Sequence, residues 1–248
     1  MAAAEPDYRS AELLIVALAR LLAGAGHVVA GAVSPIPAAA ALLAAHQAPG
    51  RMRVSILGSQ DHFPYSDGGR EIFDIAGRGR IDVFFLGGGQ IDGAANINLV
   101  GTGTYPDVDI RFPGSFGSAY MYYMVPKVIL FREEHSPRVL VAKVDFISAP
   151  GTSPPDVCRP GGPSALLTGK AAFAFDRQRA RFRLESVHPG HDLDTIRTDT
   201  GFAFDHPPRV AVTAPPSAAD LAAIRGPVRE SLGATYPEFA ARRLGEAA

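Results

Sequence analysis

The chain predicts an α/β fold built on a doubly wound, mostly parallel sheet. Short apolar runs alternate with leucine- and alanine-rich helical segments through the first third of the 248 residues. The third run, Ile81–Leu86, stops on Gly87-Gly88-Gly89 and is followed by Gln90 and Asp92, as a buried strand does when it delivers polar groups to its carboxyl end. Beyond it, β-rich runs succeed one another with few helical segments, so the carboxyl-terminal half is expected to add antiparallel strands.

Taken in order, Arg9–Ala23 sets Leu13, Ala17 and Leu21, and Leu14, Leu18 and Leu22, at helical spacing, and Gly24 and Gly26 stop the helix. His27–Ala32 reads as a buried strand. Ser34-Pro35 opens a second helix, because serine caps and proline is tolerated in a first turn. Its body, Ala38–Ala45, is narrow enough to pack closely on a sheet. Val54–Leu57 is a second strand, Arg70–Ala76 a short helix and Ile81–Leu86 the third strand. Val125–Phe131 and Val139–Val144, joined by the polar turn 132–138, suggest a hairpin-like pair. Residues 152–163 form a loop rich in proline and glycine. Ala171–Phe175 and Phe182–Val187 are a further pair, and Ser217–Arg229 is a helix. There is no internal repeat, so the expectation is one domain over residues 1–248 with an ordered core of about 9–230.

A balance of 24 basic against 25 acidic residues gives no reason to expect nucleic acid or an anionic membrane surface as partner. The apolar run Leu13–Leu22 is too short for a bilayer and has acidic residues before it, so a cytoplasmic protein is expected. The single cysteine, Cys158, excludes an intrachain disulfide and a cysteine-based metal site. No metal ligand set is expected.

Several residue groups could carry chemistry. Gly88, Gly89, Gln90 and Asp92 could position a ligand, or simply satisfy loop backbone groups. Asn96 and Asn98 share one face if the segment is extended, either as ligand contacts or as turn amides. Gly114, Ser115 and Gly117 could present backbone N–H groups to a thioester or phosphate, or make a plain tight turn. Ser34 stands before a helix N-terminus, where an anion is favoured. Asp61 and His62, with Asp67 nearby, form a local acid–base cluster, although an exposed loop histidine is the plainer reading. His188 reads as structural and His135, in a polar turn, as solvated. Arg177, Arg179, Arg181 and Arg183 share a face on an extended strand, either meeting phosphates or guarding a sheet edge. Cys158 has no activating neighbour in its loop.

The block Gly88-Gly89-Gln90-Ile91-Asp92, with Asn96-Ile97-Asn98, Pro113-Gly114-Ser115 and the run Lys143–Gly151, resembles the β subunit of class I CoA-transferases, nearest the glutaconate CoA-transferase branch. His188-Pro189-Gly190 and Thr200-Gly201-Phe202 match two further landmarks in the same order. The resemblance implies a three-layer fold shared with sugar-phosphate isomerases, helices on both faces of a mostly parallel sheet. It implies a homologous α subunit, in a heterodimer or α2β2 assembly, and coenzyme A as part of the substrate with no permanently bound cofactor. It also places Ser34, Ile56, Gly58, Ser59 and Gln60 with the glycine and amide residues above at a substrate or CoA site. In the transferases a β-subunit glutamate attacks the thioester, and backbone N–H groups hold the oxyanion. Here that position falls on Ile56, or Leu57 if the register slips by one, and the family's small residues give way to Phe116 and Tyr120.

The chain therefore resembles relatives that lack the glutamate, the steroid ring-opening CoA hydrolases and the glutaconyl-CoA decarboxylase type. The expected function is the β subunit of an acyl-CoA hydrolase or lyase, with the main carboxylate on the α subunit. A genuine CoA-transferase using Asp61 or a partner carboxylate, and a non-catalytic ligand sensor on the same fold, are the alternatives.

Overall fold

The computed structural model describes residues 7–67 and 69–245. In chain order the elements begin α1 (Ser10–Arg20), β1 (His27–Ala30), α2 (Pro35–Gln47), β2 (Arg53–Ile56), α3 (Gly69–Gly77) and β3 (Val83–Leu86). Short strands β4 (Gln90–Ile91), β5 (Ile97–Asn98), β6 (Gly101–Gly103) and β7 (Val108–Arg111) come next, then α4 (Ser118–Met124) and β8 (Lys127–Arg132). The rest is β9 (Pro163–Thr168), β10 (Ala171–Asp176), β11 (Arg181–Val187), α5 (Leu193–Asp199), β12 (Ala211–Val212), α6 (Ala218–Ala223), α7 (Arg229–Gly233) and α8 (Pro237–Arg243). They group into two compact units, one of residues 7–65 and 214–245, the other of residues 66–213.

In the first unit β1 and β2 pair in parallel, from His27 opposite Arg53 to Ala30 opposite Ile56. Helix α1 buries Ala11 through Ala19 without a break, which includes the carboxylate of Glu12. Two bonds from Arg225, Nε to Oε1 at 2.7 Å and Nη2 to Oε2 at 3.0 Å, compensate that burial, and Arg9 N–H adds a third at 2.8 Å. Helix α2 has Pro35 in its first turn and a run of buried alanines, so its backbone can approach its neighbours closely. The helix expected over Ser217–Arg229 is two helices. Ser217 caps α6 by accepting from Asp220 N–H, but Pro227 has no N–H to continue the ladder, and Gly226 leaves helical geometry (φ −104°, ψ −107°).

In the second unit the strand order is β12-β11-β10-β9-β8-β3. β3, β8 and β9 are mutually parallel, β9-β10 and β10-β11 antiparallel, and β11-β12 parallel. The pair expected at Ala171–Phe175 and Phe182–Val187 is thus present as β10 and β11. The hairpin expected between Val125–Phe131 and Val139–Val144 is not. β8 lies between β3 and β9, and residues 139–141 bond the backbone of Ile91 instead, through Ile91 N–H to Val139 O and Val141 N–H to Ile91 O. Phe173, Phe182, Phe202 and Phe204 pack ring on ring across this unit's core, at centroid distances of 5.4–6.1 Å. The architecture is α/β, with parallel pairing prevailing and antiparallel strands in the carboxyl-terminal half.

Candidate functional site

In the second unit, β3 ends at Leu86 and the three glycines lead into the small hairpin β4-β5, with Gln90 opposite Asn98 and Ile91 opposite Ile97. At Gly89 the Phe112 ring packs directly on the backbone, 2.2 Å from where a Cβ would stand, so a larger residue would displace that ring. The polar side chains that follow are all engaged with the chain itself. Gln90 Oε1 accepts from Asn98 Nδ2 at 2.7 Å and from Asp145 N–H at 3.0 Å, while its Nε2 donates to Asp145 Oδ2 at 3.0 Å. Asn98 Oδ1 accepts from Val100 and Gly101 N–H, and its amide donates to Gly101 O. Asp92 Oδ1 accepts from Ala94 and Asn96 N–H, each at 3.0 Å, and its Oδ2 from Asn96 Nδ2. Asn96 Oδ1 accepts from Gly151 N–H. Buried amides and carboxylates satisfied in this way fix a loop; they are not free to exchange partners with a ligand without cost.

The turn these groups enclose has Ala95 in the left-handed region (φ 59°), a conformation in which glycine would be unstrained. Tyr122 pins it by donating its hydroxyl to Ala95 O at 2.8 Å, and burial pushes the Tyr122 phenol well above its ordinary pKa. Arg159 lies over the Tyr122 ring and donates to Tyr122 O.

The loop that follows β7 is built differently. Gly114 (φ 105°), Phe116 (φ 26°) and Gly117 (φ 67°) take positive φ within four residues. Among the described residues, none accepts a hydrogen bond from the backbone N–H of Gly114, Ser115, Phe116 or Gly117. Consecutive unpaired N–H groups on left-handed backbone make a concavity suited to an oxyanion or anionic oxygen. Ser118, next in the chain, carries the single buried side-chain polar atom without a partner among the described residues.

In the first unit, β2 ends at Ile56, whose side chain is fully buried in the core. The chain then turns through Gly58 (φ 85°), and Ile56 N–H donates to His62 O, closing the loop on itself. Ser59, buried, accepts from His62 N–H at 3.1 Å and from the Thr235 hydroxyl at 2.8 Å. Gln60 and Asp61 are exposed. The His62 imidazole Nε2 lies 2.8 Å from Ser231 Oγ. Ser34 N–H donates to the Tyr236 hydroxyl at 3.3 Å, and burial raises the Tyr236 pKa. Segment 231–236 thus ties down the loops after both β1 and β2. Neither Ser231 nor Thr235 is signalled by the sequence, standing 169 and 176 residues from their partners.

The remaining candidate side chains are held by the fold itself. His135 is buried, with Nδ1 2.7 Å from Thr168 Oγ1 and Nε2 2.9 Å from Thr200 Oγ1, which corrects the solvated reading. His188 is structural, held by Thr213 and Thr168 O. Arg179 and Arg181 pair with Asp205, Arg183 with Glu185, and Arg177 donates to Pro163 and Gly162 carbonyls. Cys158 is exposed. No group of three or more His, Cys, Asp or Glu suited to a metal occurs among the described residues, and no helix among them is long and apolar enough to cross a membrane.

The mostly parallel α/β sheet with glycine loops at its strand ends is the fold of the CoA-transferases, shared with glutaconate CoA-transferase of Acidaminococcus fermentans at TM-score 0.77 and 21% identity over 89% of this chain and 94% of that one. The family model described as Coenzyme A transferase matches residues 8–199, and the chain belongs to that family. It is 32% identical over 153 residues to the B subunit of a 3-oxoadipate CoA-transferase of Pseudomonas knackmussii, covering 59% of this chain and 58% of the relative. It is 29% identical over 144 residues to the B subunit of the glutaconate CoA-transferase of Acidaminococcus fermentans, covering 54% and 52%. The chain thus spans a little over half the length of these curated relatives. Among solved structures it is similar to the decarboxylase AibA/AibB, with TM-score 0.75 and 25% identity over 96% of this chain and all of that one. It shares the fold of Rhodococcus jostii IpdAB, with TM-score 0.79 and 22% identity over 89% of this chain and 94% of that one.

Proposed function

We propose that this chain is the β subunit of a two-subunit enzyme that acts on an acyl-CoA thioester by hydrolase- or lyase-type chemistry. The observation that carries the proposal is the end of β2. Where the resemblance calls for a nucleophilic glutamate stands Ile56, buried in the core, while the glycine loops at 87–89 and 114–117 are retained. Relatives named as B subunits of CoA-transferases support the assignment to one half of a heteromer, and the likeness to the AibA/AibB decarboxylase supports chemistry other than CoA transfer.

In this reading the N–H groups of Gly114, Ser115 and Gly117 donate to the thioester oxygen as negative charge develops on it. Gly88 and Gly89 shape the wall, and Gln90, Asp92, Asn96 and Asn98 act by holding that wall rather than by touching substrate. Ser34, Gly58 and Gln60 remain candidate binding positions, and the buried Ile56 and Ser59 support them. Asp61 and His62 are the acid–base groups this chain can offer, with the main carboxylate on the partner. Coenzyme A enters and leaves as part of the substrate.

Genuine CoA transfer is the second reading, favoured by the relatives named 3-oxoadipate and glutaconate CoA-transferase. The two separate when the chain and its α subunit are mixed with a panel of acyl-CoA thioesters, with and without an acceptor carboxylate. Hydrolase or lyase chemistry gives acceptor-independent loss of substrate, with free CoA or an acyl chain shortened by carbon dioxide. Strict dependence on the acceptor, with CoA appearing on it, refutes the first reading.

A further inference from the structure

Three aromatic side chains of the second unit converge on its surface. Phe73 on α3 lies 6.0 Å from Phe116 and 5.8 Å from Tyr120 on α4, ring centroid to ring centroid. Phe116 is 75% exposed and Tyr120 42%. Glycines make room for all three. A Cβ on Gly69 would lie 2.7 Å from Phe116 Cζ, one on Gly77 2.5 Å from the Tyr120 hydroxyl, and one on Gly117 would collide with the Phe73 ring.

The exposure of Phe116 is not incidental to a relaxed backbone. Its φ of 26° is one that side-chain-bearing residues avoid. A strained backbone that holds a phenyl ring 75% exposed, with Phe73 against only part of it, points to an occupant for the remaining face. The same loop presents four N–H groups without acceptors, and Phe116 carries one of them. An occupant with an oxygen acceptor and a flat apolar portion satisfies both features.

We propose that Phe73, Phe116 and Tyr120 form a specificity platform for an acyl-CoA whose acyl group is aryl or otherwise planar and apolar. Phe116 is its central residue. The proposal rests on the acyl-CoA reading above and names its substrate class.

The test uses the reconstituted heteromer and two non-hydrolysable ketone analogues of acyl-CoA, with a methylene group between sulfur and carbonyl, one bearing a benzyl group and one a short carboxylate-ended chain, with binding measured by calorimetry. The wild type is expected to prefer the aryl analogue. The Phe116→Gly variant suits the positive φ and so retains its fold by circular dichroism. It should lose about two- to tenfold of that preference, the range of one aromatic contact pair. An unchanged preference with both analogues still bound overturns the platform alone. A weakened affinity for the α subunit, with ligand preference intact, overturns it in favour of a protein interface. Binding of neither analogue by the wild type overturns the acyl-CoA reading and the platform with it.

Discussion

Acidification from pH 7 to 4 should remove a large part of the second unit's stability through two buried histidines. His188 is 2% exposed and its tautomer is fixed by its partners. Thr168 O can only accept, so Nε2 carries the proton at 3.0 Å, and Nδ1 accepts from the Thr213 hydroxyl at 2.8 Å. Ser186 Oγ lies 2.6 Å from Thr213 Oγ1 and completes the chain as its donor. A second proton on Nδ1 would require the Thr213 and Ser186 hydroxyls to reverse and would bury a charge with no carboxylate among its partners. His135, 4% exposed, sits between the hydroxyls of Thr168 and Thr200, with the Lys170 cation opposing protonation and its partner Asp199 favouring it, both secondary to burial. Burial lowers both from the ordinary 6.5 to about 4.

The unfolded chain therefore takes up these protons from about pH 6.5 downward, and the folded chain only near pH 4. Stability is fully present above pH 6.5 and falls as the pH drops through that window. At about 1.4 kcal/mol per pH unit, each histidine contributes about 3 kcal/mol, against the roughly 5–15 kcal/mol that holds a whole domain. Urea unfolding at a series of pH values between 4.5 and 6.5 measures the slope. The His188→Gln variant should show a slope shallower than wild type by about 1.4 kcal/mol per pH unit. Identical slopes in variant and wild type, or an imidazole resonance of His188 titrating near pH 6.5, would refute the reasoning.

Other consequences follow from single contacts. Arg225→Ala leaves the Glu12 carboxylate buried without its counterion and should cost about 3–5 kcal/mol in denaturant unfolding, while the double variant with Glu12→Ala should cost less than the sum of the two singles. Val33 holds a left-handed φ of 55° at 88% exposure, so Val33→Gly relieves strain without losing packing and should raise stability by about 1 kcal/mol, read as a higher melting temperature. Asp92→Asn turns one acceptor of the 92–96 turn into a donor facing N–H groups, and should cost about 1–3 kcal/mol with faster amide exchange at Ala94 and Asn96. Ser231→Ala removes the contact that orients the His62 imidazole; with His62 as the base of a hydrolase, kcat of the reconstituted heteromer should fall with KM little changed, whereas a merely structural contact leaves both in place.

Helices α1 and α2 and strands β1 to β3 were legible because their periods are local and glycines or Ser34-Pro35 mark their ends, although the Ser34 hydroxyl donates to Ala32 O and does not cap α2. Parallel pairing was harder to read. Val125–Phe131 and Val139–Val144 are alike in composition, yet only the first is a strand, because the backbone at 139–141 bonds to Ile91. Strands β4 and β5, of two residues each, are too short to show an alternation. At the candidate site the glycines and amides were visible as a cluster, but their partners were not. Asp145 is 55 residues from Gln90, and Ser231 and Thr235 act from the far end of the chain. His135 between Glu134 and Ser136 suggested water, and only the fold shows two threonines closing over it.

The proposal that this β subunit is no covalent CoA carrier is tested most directly by intact-mass analysis of the heteromer during turnover of an acyl-CoA substrate. The account predicts that substrate is consumed while the mass of this chain stays unchanged. A thioester adduct of coenzyme A on this chain, mapped to Asp61 or to any other carboxylate, would contradict it.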